Sequence, residues 1–307
     1  MKRDARKNKY IEYDYEAAYT EQIEKLEQDQ IERLIRKGYV IYATKEIRSG
    51  SQLEVEIYPE FTREQKKEIP QAALEKRRAR QKNLNERNSR KACERLINTN
   101  FGDGDIWATL TYDKDNVPES MEEATKDIQN YIKRLNYARR KQGLDNVAFV
   151  RVVENNEGSG RWHHHLILRG DMSMDLVEDT WKKASRNTVR RIKSDDDGIT
   201  GMAIYITKEK KAAGQKKWAS SKGLKKPETT KNHYKFKNKN VKGMVRDRDS
   251  IKPELLKWYG DKYEYSHAEV RYNDFNGKFY ISARLHMKRE PQKKDHSRTS
   301  RRRSARE

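Results

Sequence analysis

Between residues 106 and 169 apolar positions recur with two different periods. Ile106-Trp107-Ala108-Thr109-Leu110-Thr111-Tyr112 reads as a strand. From Ser120 the period changes to that of a helix, with an apolar stripe of Ala124, Ile128, Tyr131, Ile132 and Leu135. Ser120-Met121-Glu122-Glu123 is a capping box that opens this helix, and Gly143 stops it. A strand over 146–154, a turn at Gly158-Ser159-Gly160 and a strand over 161–169 predict an antiparallel hairpin. Residues 174–187 predict a short helix, 188–193 an edge strand, and a further helix starts near Gly201. Upstream, Tyr15 to Arg36 has helical spacing. Two strands over 39–43 and 53–58 are joined through Ser49-Gly50-Ser51, and 63–98 reads as a long basic helix. Downstream, strands over 263–272 and 278–287 flank Asn276-Gly277, a hairpin signal.

This order predicts an α+β fold, an antiparallel sheet with helices packed on it. Four stretches are expected: a charged N-terminal region over 1–95 with helices and a small hairpin, a central domain over 96–230, a C-terminal basic segment and hairpin over 231–287, and a basic tail over 288–307, expected to be disordered.

Composition narrows the partner. Hydrophobic residues make up 34% of the chain and charged residues 38%, with mean hydropathy −1.23. This favours a compact core with long solvated arms. Sixty-nine Lys and Arg against 48 Asp and Glu leave a formal charge of +21, which calls for a polyanion. The single cysteine, Cys93, excludes an intrachain disulfide and a multi-thiolate metal site, and reads as a small core residue. No apolar run is long enough to span a membrane, and none follows Met1-Lys2-Arg3-Asp4 as a signal peptide would require. A cytoplasmic location is therefore expected.

The candidate chemistry lies in Arg161-Trp162-His163-His164-His165-Leu166-Ile167-Leu168. Strand alternation puts His163, His165 and Ile167 on one face and Trp162, His164, Leu166 and Leu168 on the other. The imidazoles of His163 and His165 are then about 6–7 Å apart, close enough to share a metal ion. His164 falls on the core side and needs a hydrogen-bond partner there. Glu154 is the best third ligand, since the hairpin brings the end of its strand beside the histidines, and Glu157 is the fallback. A helix after the histidine strand carries Tyr205 with Lys208 three positions on. A phenol needs a nearby cation or metal to act as a nucleophile, and Lys208 suits that role or holds a phosphate. From Lys217 to 239, lysines alternate with Trp218, His233, Tyr234 and Phe236. This is a candidate DNA surface or a solvated linker.

These motifs, in this order, resemble an HUH endonuclease of the rolling-circle replication initiator type, as in the replication-associated proteins of bacterial mobile elements and phages. Ala108 to Tyr112 resembles the first motif, Gly160 to Leu168 the histidine motif, and Tyr205-Ile206-Thr207-Lys208-Glu209 the catalytic helix. Lys217 to Pro227 resembles the segment that follows that helix. His164 departs from the pattern, where an apolar residue is usual. The resemblance implies an RRM-like or ferredoxin-like HUH fold and a divalent ion, Mg²⁺ or Mn²⁺, on His163, His165 and Glu154. It also implies single-stranded origin DNA as substrate and attack by Tyr205, giving a 5′-phosphotyrosine and a free 3′-hydroxyl. Arg161, Lys217, Trp218, Lys222, Lys225 and Lys226 are the expected DNA contacts. These residues contain no Gly-x-x-x-x-Gly-Lys-Ser/Thr stretch, so a host or element helicase is expected as partner. The competing expectations are an HUH relaxase or transposase and a non-catalytic DNA-binding regulator on the same fold.

Overall fold

The structure, a computed structural model, describes residues 19, 21–36, 40–60, 87–156, 161–207, 218–273 and 276–288. Within them lie two antiparallel sheets and seven helices, the α+β class expected from the chain's periodicities. The strands are β1 (Glu21–Gln22), β2 (Ile41–Ser49), β3 (Gln52–Glu60), β4 (Ile106–Leu110), β5 (Phe149–Asn156) and β6 (Arg161–Leu168). They continue with β7 (Thr188–Arg191), β8 (Ala219–Ser220), β9 (Glu228–Asn232), β10 (Tyr263–Asn273) and β11 (Lys278–Met287). The helices are α1 (Gln28–Arg36), α2 (87–100), α3 (Met121–Lys141), α4 (Met174–Thr180), α5 (Thr200–Ile206), α6 (Asn238–Arg246) and α7 (Ile251–Tyr259). No helix among the described residues is long and apolar enough to cross a membrane.

The sheet that carries the histidines runs β7-β4-β6-β5-β8. One face, with Ile106, Ala108, Leu110, Val153, Leu166 and Leu168, packs on α3 and α4. All five residues of the α3 stripe read from the sequence are buried. Ser120 caps α3 by accepting from the Glu123 amide at 3.1 Å. The Glu123 carboxylate reaches back one residue further than a capping box requires, to the Glu119 amide at 2.8 Å. The opposite face, with Trp107, Val150, Val152 and Ile167, is covered by Cys93 and Ile97 of α2 and by Ala203 of α5.

The second sheet runs β1-β10-β11-β3-β2-β9 and packs on α1, α6 and α7. It pairs β3 with β11, Val55 opposite Ala283, so residues 41–60 and 263–287 share one sheet although some two hundred residues separate them. Helix α2 joins the two sheets. Its apolar side enters the first, while Arg95 makes two 2.8 Å bonds to Glu54 and Glu94 pairs with Arg284 at 2.8 Å on the second. Gly50, in the β2–β3 turn, has φ +59°, and a Cβ there would stand 2.1 Å from the Asn98 carbonyl oxygen at the end of α2. Only glycine meets both demands.

Several elements differ from their expected bounds. The first motif strand stops at Leu110, where Thr111 turns to bond Arg186 and Asn187. The helix at 174 ends at Thr180, because Trp181 is drawn into the core and its indole donates to the Thr111 carbonyl at 2.6 Å. Within the stretch 15–36 expected as one helix, Glu21–Gln22 pair with β10, Ile23 is buried and the helix spans Gln28–Arg36. Of the long basic helix expected over 63–98, residues 61–86 lie outside the described residues, and 87–100 are helical. The tail after residue 288 also lies outside them.

Candidate metal centre and tyrosine site

The register of the hairpin builds the site. Glu154 on β5 lies opposite His163 on β6, and Val152 opposite His165. Directly paired residues share a face of the sheet, so the carboxylate and both imidazoles point the same way. His163 Nε2 is 2.9 Å from Glu154 Oε2, and His165 Nε2 is 3.4 Å from the same oxygen. One ligand atom from each residue fits within a 4.8 Å group. Glu154 is 1% exposed and His165 3%. Glu157, the fallback ligand, lies outside the described residues.

Two atoms of this group, Glu154 Oε1 and His165 Nε2, are buried without a hydrogen bond. Buried polar atoms are almost always paired, so this cluster is built for something additional. Two imidazoles and a carboxylate are nitrogen and oxygen donors that suit a first-row divalent ion. The group therefore fits a metal ion. Burial alone would raise the Glu154 carboxyl, but hydrogen bonds and charge from His163 and His165 outweigh it and hold it at about 2.

The neighbouring strand orients the ligands. Thr109 on β4 pairs with His165, and its Oγ1 is 3.1 Å from His165 Nδ1. The Trp107 indole donates to the same Thr109 oxygen at 3.2 Å. With Nδ1 engaged, His165 directs Nε2 at the cluster, as outer partners of metal-bound histidines generally do. His164 points to the other face, fully buried, where its Nε2 is 2.7 Å from the Tyr112 hydroxyl. That is the partner a core-facing histidine required. Burial, reinforced by Asp127, keeps the Tyr112 phenol protonated by raising it well above the usual range.

Helix α5 brings Tyr205 over the cluster. Ala203 is buried in the core while Tyr205 is 47% exposed. The Tyr205 ring centroid is 5.3 Å from that of His165 and 6.2 Å from that of Trp107. The start of α5 is pinned by Asn98, which donates to Thr200 Oγ1 at 2.9 Å and accepts from the Ile199 amide at 3.0 Å. Asn98, Trp107 and Thr109 were not read as site residues from the sequence. Thr109 alone carried a signal, since it sits in the first motif strand with alternation that faces the site.

The other expected site residues are placed unevenly. Arg161 is exposed two residues from His163. Lys208 and Lys217 lie outside the described residues. Lys222, Lys225 and Lys226 are exposed but lie at the opposite end of β5. The Ser221 amide donates to the Phe149 carbonyl there, five residues from Glu154 and so about 17 Å along the strand. They border a 610 Å³ cleft with Asn100, Asn136 and Arg169. Trp218 is half-buried against the core under α2 and donates to the Ser89 carbonyl at 3.1 Å, so its ring holds the segment in place.

Residues 105–210 match the family model for the replication-associated proteins of the ORF2 and gene 2 protein type. The matched span runs from β4 through α5 and contains the Glu154, His163 and His165 cluster with Tyr205. The match agrees with a rolling-circle replication initiator. No curated protein and no solved structure matches the chain.

Proposed function

We propose, from that family match and the site, that this protein initiates replication by nicking single-stranded origin DNA with Tyr205. The observation that carries the reading is the Tyr205 ring 5.3 Å from His165, at the rim of a buried two-histidine, one-carboxylate cluster. The phenol oxygen attacks the scissile phosphorus in line. The Tyr205 Oη–P bond forms and the P–O3′ bond breaks. The phenol proton leaves to solvent or a neighbouring base, and the departing 3′ oxygen takes one up. The products are a 5′-phosphotyrosine and a primer 3′-hydroxyl. The covalent link conserves the phosphodiester, so rejoining needs no ATP. His163, His165 and Glu154 would hold Mg²⁺ or Mn²⁺, which when bound polarises a phosphodiester oxygen as a Lewis acid.

In this reading Arg161 contacts the DNA backbone beside the cluster, and Lys208 steadies the phosphate or favours the phenolate. Lys217, Lys222, Lys225 and Lys226 contact DNA further along, with Trp218 anchoring their segment. Unwinding is left to a helicase from the host or the element.

The test is a covalent-adduct assay. The protein is incubated with single-stranded origin candidates and Mn²⁺ or Mg²⁺, and the DNA-linked species is resolved on a denaturing gel and mapped. We expect an adduct at Tyr205 that chelator abolishes and that Tyr205→Phe lacks while still binding DNA. Tight, sequence-specific binding without any adduct across the candidates would refute the nickase and favour a non-catalytic regulator.

A further inference from the structure

The second sheet plays no part in the chemistry proposed above, yet it displays aromatic rings to solvent. Tyr234 is 62% exposed and Trp258 45%, and their ring centroids are 6.0 Å apart in an edge-to-face pair. Their immediate neighbours are core residues: Phe236 is fully buried and Tyr259 is 5% exposed. The exposed rings therefore stand on rigid backbone.

A buried carboxylate organises the patch. Glu46, 3% exposed, accepts from Lys235 Nζ at 2.6 Å, from Arg48 at 2.6 Å and from the Tyr259 hydroxyl at 3.0 Å. This fixes the Lys235 ammonium 4.4 Å from the Tyr259 ring centre and 5.5 Å from that of Trp258. Around it the chain is one-signed. Between Glu228 and Asp247 there is no acidic residue, while Lys237 and Lys239 are exposed beside the rings.

Exposed aromatic rings cost hydration and are retained where something covers them. Rings interleaved with cations match a ligand that alternates flat bases with phosphates. A protein partner would be expected to meet a mixed-charge rim. We infer that Tyr234 and Trp258 form a stacking platform for single-stranded DNA, a second contact outside the nicking site. The inference rests on the reading that single-stranded DNA is the substrate, and it adds where a length of strand beyond the scissile phosphate is held.

The probe is a fluorescein-labelled oligothymidylate, which needs no origin sequence, followed by anisotropy in chelator. The Tyr234→Ala/Trp258→Ala double variant should bind about 10- to 100-fold more weakly than the wild type. Tyr234→Phe/Trp258→Phe, which keeps both rings, should bind within about threefold. Equal binding by the double alanine variant and the wild type overturns the platform and leaves the patch to a protein partner. Should the alanine variant not fold, the wild type is photo-crosslinked to a bromodeoxyuridine oligonucleotide. Crosslinks within 231–259 support the proposal, and their absence overturns it. Adduct formation at Tyr205 is a separate readout, so the nickase reading and the platform fail independently.

Discussion

Thr109→Val tests the geometry of the metal centre without touching a ligand. Valine has nearly the shape of threonine but no hydroxyl, so it removes the one oxygen that serves both the Trp107 indole at 3.2 Å and His165 Nδ1 at 3.1 Å. His165 can then rotate and exchange tautomers, and its Nε2 no longer aims at Glu154. Loss of such an outer partner costs about 10- to 100-fold in metal affinity, which is about 1.4–2.7 kcal/mol. Folding pays separately. Trp107 is 5% exposed and His165 3%, so two buried donors lose their shared acceptor. An unsatisfied buried donor costs about 1–3 kcal/mol, and the added methyl returns part of it, leaving about 2 kcal/mol. At about 2–4 °C per kcal/mol, the metal-free protein should melt about 5 °C lower. Isothermal titration with Mn²⁺ and calorimetric melting in chelator read the two effects apart. Thr109→Ser, which keeps the hydroxyl, should restore metal affinity. Mn²⁺ binding by Thr109→Val within about threefold of wild type would refute the argument that Thr109 sets the histidine.

Further outcomes concern the frame around the site. Burial pushes the Cys93 thiol up to about 12, so at pH 8 it should react with a disulfide reagent on the order of 10³-fold more slowly in the native protein than after denaturation. Comparable rates would mean that α2 is not seated on the sheet. Burial would raise Glu54, but the Arg95 hydrogen bonds and charge overcome it and hold the carboxyl below the usual range. Arg95→Met should therefore cost about 3 kcal/mol near neutral pH. In the wild type, the contribution of Glu54 is present above the unfolded pKa and is lost as pH falls through the lower, folded one. In the variant, burial prevails and protonation of Glu54 relieves the cost. The stability gap measured in urea should narrow as pH falls past about 4.3, and a gap that widens would contradict this. Gly50→Ala should lose at least about 1 kcal/mol, since its φ of +59° and the 2.1 Å approach to the Asn98 carbonyl both exclude a Cβ. An unchanged urea midpoint would show that the β2–β3 turn does not press on α2.

What could be read in the chain followed from short-range geometry. The period of two in Trp162 to Leu168 sends His163 and His165 to one face and His164 to the other, whatever the sheet packs against. The hairpin signal nine residues earlier was enough to set Glu154 across from His163. The need of a core-facing His164 for a partner was also legible, though not that Tyr112 would meet it. Trp218 among lysines reads equally as a stacking ring or an anchor, because composition does not say which way a ring turns.

The chain's own periodicities thus determined the α+β class, the α3 helix and the facing of the two histidines, since each depends only on residues a few positions apart. The tertiary structure alone decided that β3 lies against β11, that Asn98 pins the start of α5 from about a hundred residues away, and that Tyr205 stands over His165. It also placed the lysines at 222–226 at the far end of β5 from the cluster. Such contacts are chosen by which apolar faces and buried polar groups complement one another across the whole molecule, and no local period records that choice.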